Sequence, residues 1–182
     1  VVWPALLATI SQRKEPVSGA EFLAAGIAGY EVGGRVGSAL MNAELARLFR
    51  PTGMVGSLAS AAACGLLLGL DETQLAVALG LAANTAAGFN EWPHSGGSEM
   101  YFHVGFAARN GMGAAMLARE GAFAAPTILE GEAGLFRAIG RRESPADIPL
   151  FTDGPLEILS VFHKQAPACN YAQTPCQAAL RA

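Results

Sequence analysis

Charge is scarce in this sequence: Asp, Glu, Lys and Arg make up 15% of it, against 52% for hydrophobic residues, and the net charge is −3. No basic stripe occurs, so nucleic acid is not an expected partner. Cysteine is nearly absent as well, limited to Cys64, Cys169 and Cys176. The last two are too widely spaced for a CxxC site, and no histidine lies at a zinc-ribbon spacing from them. Neither a disulfide framework nor a metal site is therefore expected. Cys64, inside an Ala-rich run, reads as a small buried hydrophobe. A reducing compartment fits this usage, and the cytoplasm is the expected location. Long apolar runs are missing too. The longest uncharged one, Met54 to Leu70, carries Ser57 and Ser60, is built from Ala and Gly, and stops at Asp71-Glu72. It reads as a buried helix, with no membrane partner. No signal-peptide pattern is read, and Val1 stands where an initiator methionine would. The expectation is a piece of a longer chain, or a processed product.

What is present is helical punctuation. Pro4 suits a first helical turn and opens an apolar segment to Ile10. Ser18-Gly19-Ala20-Glu21 forms a capping box and starts a helix carrying Phe22, Leu23, Ile27 and Tyr30. Gly33, Gly34 and Gly37 either admit a close neighbour or break that helix. Thr52 is placed to cap the next helix, which ends at Gly69. Asp71 to Gln74 opens another, carrying Leu75, Leu79 and Leu81. From Asn84 to Tyr101 runs the one long irregular stretch of the helical region, rich in polar and turn-forming residues, and such loops often carry function. A helix with His103 at its mouth follows and ends at Gly121. After Gly140 the composition changes. The domain reading is a helical domain over 1–140, a polar linker over 141–155, and the start of a mixed second domain over 156–182, with Leu156 to Phe162 as a strand. The fold class is thus all-α, followed by the first strand and turn of a truncated α+β domain. The Gly-rich "GYEVGGRVG" lacks the flanking strand and acidic residue of a dinucleotide site, so it reads as helix packing.

The stretch "RPTGMVGSLASAAACGLLLGLDETQLAVALGLAANTAAG" resembles the MmgE/PrpD family, as do "YEVGGRVG", "FHVGFAARNGMGAAMLAREG", "ILEGEAGLF" and, after the expected strand, "HKQAPAC". The resemblance covers almost the whole chain in order. It implies a large helical domain and a smaller α+β domain, a homodimer, and a site for small di- or tricarboxylates at the domain cleft. Known relatives include 2-methylcitrate dehydratase, cis-aconitate decarboxylase and iminodisuccinate epimerase. All three reactions make or break a bond beside a carboxylate, which calls for cations and a positioned acid or base rather than a metal or other cofactor.

The resemblance assigns site residues one by one. His103 matches the histidine of the family's H-x-G-x-A-A segment, although an isolated histidine at a helix start is more often a bonded structural group. Lys164, flanked by His163 and Pro167, matches the active-site lysine. His103 and Lys164 are the expected catalytic residues, Lys164 by binding a substrate carboxylate. Arg50 stands where several lyases of the family carry histidine. Arginine stays protonated and so clamps a carboxylate rather than moving a proton. Thr52 beside it is expected to touch ligand. Met100 replaces the lysine that decarboxylase-like relatives carry three residues before the helix histidine, and His94 and Tyr101 are the expected compensating contacts. These two departures favour dehydration, in the manner of 2-methylcitrate dehydratase, over cis-aconitate decarboxylation. An epimerase or isomerase of a dicarboxylate and a non-catalytic helical scaffold remain as alternatives.

Overall fold

A computed structural model describes residues 1–140, 150 and 153–182 of the protein. Its helices follow the capping signals closely. α1 spans Val2–Ser11. α2 (Gly19–Leu40) begins at Ser18, whose hydroxyl accepts the Glu21 N–H while the Glu21 carboxylate accepts the Ser18 N–H. After the short α3 (Ala43–Leu48) comes α4 (Pro51–Leu67), then α5 (Glu72–Ala83), which opens with a second reciprocal box between Asp71 and Gln74. α6 (Trp92–Ser95), α7 (Glu99–Arg119) and α8 (Leu135–Ala138) follow. Gly69 (φ 72°) and Gly121 (φ 88°) sit in the left-handed conformation just past α4 and α7, which stops each helix.

α4 is the centre of the molecule, packed by α1, α2, α5 and α7. Residues Gly56 through Gly65 are buried in an unbroken run, so this stretch of the helix has no solvent face, although Leu66 near its end is exposed. Small side chains make this crowding possible. The bulkier anchors beside them are Met54, Leu58 and Phe136, all essentially inaccessible. Burying a side chain such as Leu58 contributes about 1.5–3 kcal/mol, and truncating it to alanine would cost about 2–5 kcal/mol. At the α4–α7 crossing Gly111 lies directly against the α4 backbone, where a Cβ would collide with the Ser57 carbonyl. Against α5, the Ser57 hydroxyl donates to the Ala82 carbonyl (3.0 Å), keeping a polar group satisfied in the core. On the α1 side the Thr9 hydroxyl donates to the Ala5 carbonyl (2.9 Å) and lies 3.2 Å from Cys64 Sγ. Burial pushes the Cys64 thiol above its ordinary range, against a smaller opposing effect from Thr9.

Of the two alternatives for Gly33, Gly34 and Gly37 the close neighbour holds: α2 runs through them unbroken, with Gly33 tight against Ala59 of α4 and Gly34 against Glu157. Three local expectations change. Thr52 is inside the first turn of α4 rather than its cap, since Pro51 takes the first helical position and Arg50 the cap position. α7 starts at Glu99, so His103 lies in its second turn, not at its mouth. The expected strand over Leu156 to Phe162 is instead a 3₁₀ turn at Glu157–Ser160. A strand needs a partner for its ladder, and here the Glu157 N–H donates to the Glu31 carboxylate of α2 (2.5 Å) while Leu159 N–H bonds back to Leu156. Among the described residues no strand occurs, only one antiparallel bridge between Phe49 and Phe89. Most of the expected linker, residues 141–149 and 151–152, lies outside the described residues. The chain closes with a 3₁₀ turn at Asn170–Ala172 and α9 (Gln173–Arg181).

Candidate active site

The Phe49–Phe89 bridge joins the approach to α4 with the loop after α5. The Arg50 N–H donates to the Gly88 carbonyl and the Asn90 N–H to the Leu48 carbonyl, both at 2.9 Å. This clamp sets Gly88 over the imidazole of His103. A Cβ at Gly88 would lie 3.4 Å from His103 Nδ1 and 3.5 Å from its Cγ, and the local φ of 118° is one that a side chain rarely tolerates. Glycine is therefore required by the backbone angle, while the ring itself would leave ordinary van der Waals room for a methyl group.

His103 is 92% buried, from a relative exposure of 8%, and its Nδ1 has no hydrogen-bond partner. Among the described residues only Ser60 Oγ shares that condition. An unsatisfied buried polar atom costs about 1–3 kcal/mol, so such an atom calls for a ligand or another explanation. Unlike Ser60, His103 borders a cavity, of about 170 Å³, between α7, the 85–88 turn and the first turn of α4. Thr85, Asn110 and Arg109 supply its other polar side chains, and no carboxylate lines it. A hydroxyl, an amide, an imidazole and a guanidinium without an acid make a site for an anion. Four other cavities are larger: about 260 Å³ beside Arg13 and Arg119, about 350 Å³ between α2 and α4, about 200 Å³ beside Asn84 and Ile128, and about 240 Å³ beside Asn42 and Glu44. In the first, Arg13 is already committed to the Leu67 carbonyl and Glu15. We centre the site on the smallest of these cavities because it alone of the five is bordered by a buried ring with an unpartnered nitrogen.

The expected residues divide between places. Arg50 reaches the same neighbourhood as His103: its backbone holds Gly88, and its guanidinium donates to the carbonyl of Met100, one turn before His103 on α7. The two departures noted from sequence, Arg50 and Met100, are thus in direct contact. Thr52 faces the α2–α4 cavity instead, with Tyr30, Glu157 and Ser160. His94 at the end of α6, Tyr101 (75% exposed) and Lys164 lie on the surface and line none of the five cavities. Thr85, Gly88, Arg109 and Asn110 were not singled out from sequence. The signal for the last two was available, since His103, Phe106, Arg109 and Asn110 recur at helical spacing along one face of α7. Among the described residues no group of His, Cys, Asp or Glu is placed to hold a metal, and no helix is long and apolar enough to cross a membrane.

Comparison with known proteins gives a consistent family. A family model described as the MmgE/PrpD N-terminal domain matches residues 1–147. The chain is 41% identical over 127 residues to the cis-aconitate decarboxylase-like protein oryM of Aspergillus oryzae, covering 66% of this chain and 26% of that protein. It is 35% identical over 140 residues to the cis-aconitate decarboxylase of Aspergillus terreus, covering 75% and 28%. The human cis-aconitate decarboxylase is 34% identical over 144 residues, covering 79% and 29%. The match to these relatives thus spans between 26% and 29% of their length.

Proposed function

From the premise that this chain belongs to the MmgE/PrpD family, we propose that the whole protein is a lyase acting on a small di- or tricarboxylate. The observation that carries this reading is His103, a buried imidazole with an unpartnered Nδ1 whose ring borders a cavity that holds Arg109, Asn110 and Thr85 but no acidic side chain. In this reading His103 is the group that moves a proton. Arg50 stays charged and fixes the local backbone, and Met100 has no proton to give. Lys164, exposed on the 156–182 segment, binds a substrate carboxylate when the whole protein brings that segment to the site.

One proton-carrying group suffices for either of two reactions. In a dehydration, neutral His103 takes the proton from the carbon beside a carboxylate. The C–H pair forms the double bond as the C–O bond breaks, and the same proton leaves with the hydroxide as water. In a decarboxylation, the C–C bond electrons stay on the substrate carbon as CO₂ departs, and protonated His103 supplies the proton to that carbon. The loss of two basic positions at Arg50 and Met100 favours dehydration. The names of the relatives favour decarboxylation of cis-aconitate. The deciding experiment supplies the whole protein with 2-methylcitrate and cis-aconitate and follows both the unsaturated product and released CO₂. His103→Ala and Lys164→Ala are expected to lower turnover sharply, at least a hundredfold for the proton-moving group. The 182-residue chain alone is expected to be inactive, because an incomplete constellation does not position the reacting groups. Turnover indifferent to both substitutions, or no lyase activity on either acid or a related polycarboxylate, would refute the reading.

A further inference from the structure

We infer that Arg109, steadied by Phe106 and Asn110, is the residue that anchors a carboxylate of the substrate at the rim of the His103 cavity, and so sets its specificity for polyanionic acids. The inference rests on the reading of His103 as the proton-moving group and adds the second point of attachment that such a substrate needs.

The argument starts from the helix. His103 and Arg109 are nearly two turns apart on α7 with Phe106 between them, so the imidazole lies deep and the guanidinium lies at the exposed end of the same face. The Arg109 guanidinium carbon stands 5.3 Å from the centre of the Phe106 ring, a cation–π contact that holds the charge without using its N–H groups. Phe106 is itself braced by Phe102, with ring centres 6.1 Å apart. The Nε and Nη2 groups of Arg109 donate to Asn110 Oδ1 at 3.4 and 3.2 Å, long and hence weak bonds. That leaves the guanidinium's remaining N–H groups, and the Nδ2 end of Asn110, to face an incoming oxygen pair. A planar fork of donors suits a carboxylate better than a point charge does. No acidic side chain among the cavity-lining residues competes for it. The first turn of α4, at Gly53, adds the positive end of a helix dipole to the opposite wall. A single carboxylate at Arg109 would place the rest of a small acid in the cavity that the His103 ring borders, where a bond could break beside a second carboxylate.

The test uses the whole protein and two readouts. Steady-state kinetics are measured on the polycarboxylate it turns over. Binding of propane-1,2,3-tricarboxylate, which offers three carboxylates and no hydroxyl to eliminate, is measured by calorimetry. Arg109→Gln is expected to raise KM, and to weaken tricarboxylate binding, by about tenfold to hundredfold, the loss of one charge-assisted anchor. kcat should stay within a few-fold. Arg109→Lys should recover part of the affinity but not all, because it restores charge without the fork. Lys14→Gln, an exposed charge at a different cavity, should leave both readouts unmoved. Arg109 is exposed, so these changes leave the core intact. If His103→Ala silences the enzyme while Arg109→Gln leaves KM and tricarboxylate affinity unchanged, this inference fails alone. If His103→Ala has no effect, the reading beneath it fails. A fall in kcat at constant KM, or an equal rise in KM from Lys14→Gln, would also overturn the anchoring role.

Discussion

Two glycines of α7, two residues apart, give opposite predictions for the same substitution. A Cβ on Gly111 would collide with the Ser57 carbonyl oxygen and come within 2.5 Å of Ser60 Cβ and 2.7 Å of Ala61 N. A Cβ on Gly113 meets nothing within 4 Å. Either alanine gains about 0.5–1 kcal/mol from helix propensity. At Gly113 that gain stands alone. At Gly111 overpacking opposes it, at about 1–3 kcal/mol. Two of the three obstacles are α4 backbone atoms, which cannot rotate aside, so roughly the upper end applies. Gly111→Ala should therefore lose about 2 kcal/mol net, and Gly113→Ala should gain a little under 1 kcal/mol. A gap near 3 kcal/mol corresponds to roughly 6–12 °C in Tm for a domain of this size. Thermal unfolding of the two variants, followed by far-ultraviolet circular dichroism, measures it directly. If Gly111→Ala melts level with or above Gly113→Ala, the close α4–α7 crossing is not what fixes these glycines.

Other consequences of the structure are open to measurement. Asp71→Ala should cost about 1 kcal/mol by removing the α5 cap, read from urea unfolding. The Ser18 hydroxyl, followed by the Ser18 N–H, holds the Glu21 carboxyl below its usual range. Its stabilising contribution is full above the ordinary glutamate pKa and disappears as pH falls through the lowered folded value. Ser18→Ala should flatten that acid-side decline in a series of melts against pH, and an unchanged slope would contradict the cap. Thiol labelling of the native protein should modify Cys169 and Cys176 well before Cys64, which is buried, partnered by Thr9 and raised in pKa; labelling of all three at one rate would refute that placement. Gly88→Ala should lower Tm, since a side chain at φ 118° strains the backbone by about 1–3 kcal/mol. A Tm unchanged from wild type would mean that the 85–88 turn does not hold that angle.

What could be read from sequence follows the range of the forces involved. The capping boxes at Ser18 and Asp71 and the stops at Gly69 and Gly121 are decided by residues three or four apart, and all were legible. The burial of α4 was legible from the absence of charge between Met54 and Leu70. The segment after Leu156 was misread because β-branched and apolar residues favour a strand only when another strand pairs with them. Its backbone is claimed by Glu31, more than a hundred residues upstream, a contact that no local pattern announces. The same limit applies to the site. His103 and Arg50 could be named from a resemblance, but that Gly88 touches both could not. Thr52 was grouped with them by nearness to Arg50 in sequence, yet two residues along a helix are a turn of about 200°, and it faces a different cavity. Arg109 and Asn110 went unremarked although helical spacing from His103 pointed to them.

The enclosure of α4 from Gly56 to Gly65 also bears on how the chain is made. A helix without a polar side cannot rest at a water interface, so it is safe only once its neighbours have arrived. α1 and α2 precede it and can shelter one flank during synthesis. α7, which covers the other, ends at Arg119, 119 − 67 = 52 residues after α4 ends at Leu67. At roughly 5–20 residues per second, that leaves the flank uncovered on the ribosome for about 3–10 seconds. Slow codons between residues 67 and 119 should therefore lower the soluble yield more than the same codons placed after residue 119, where α4 is already closed in.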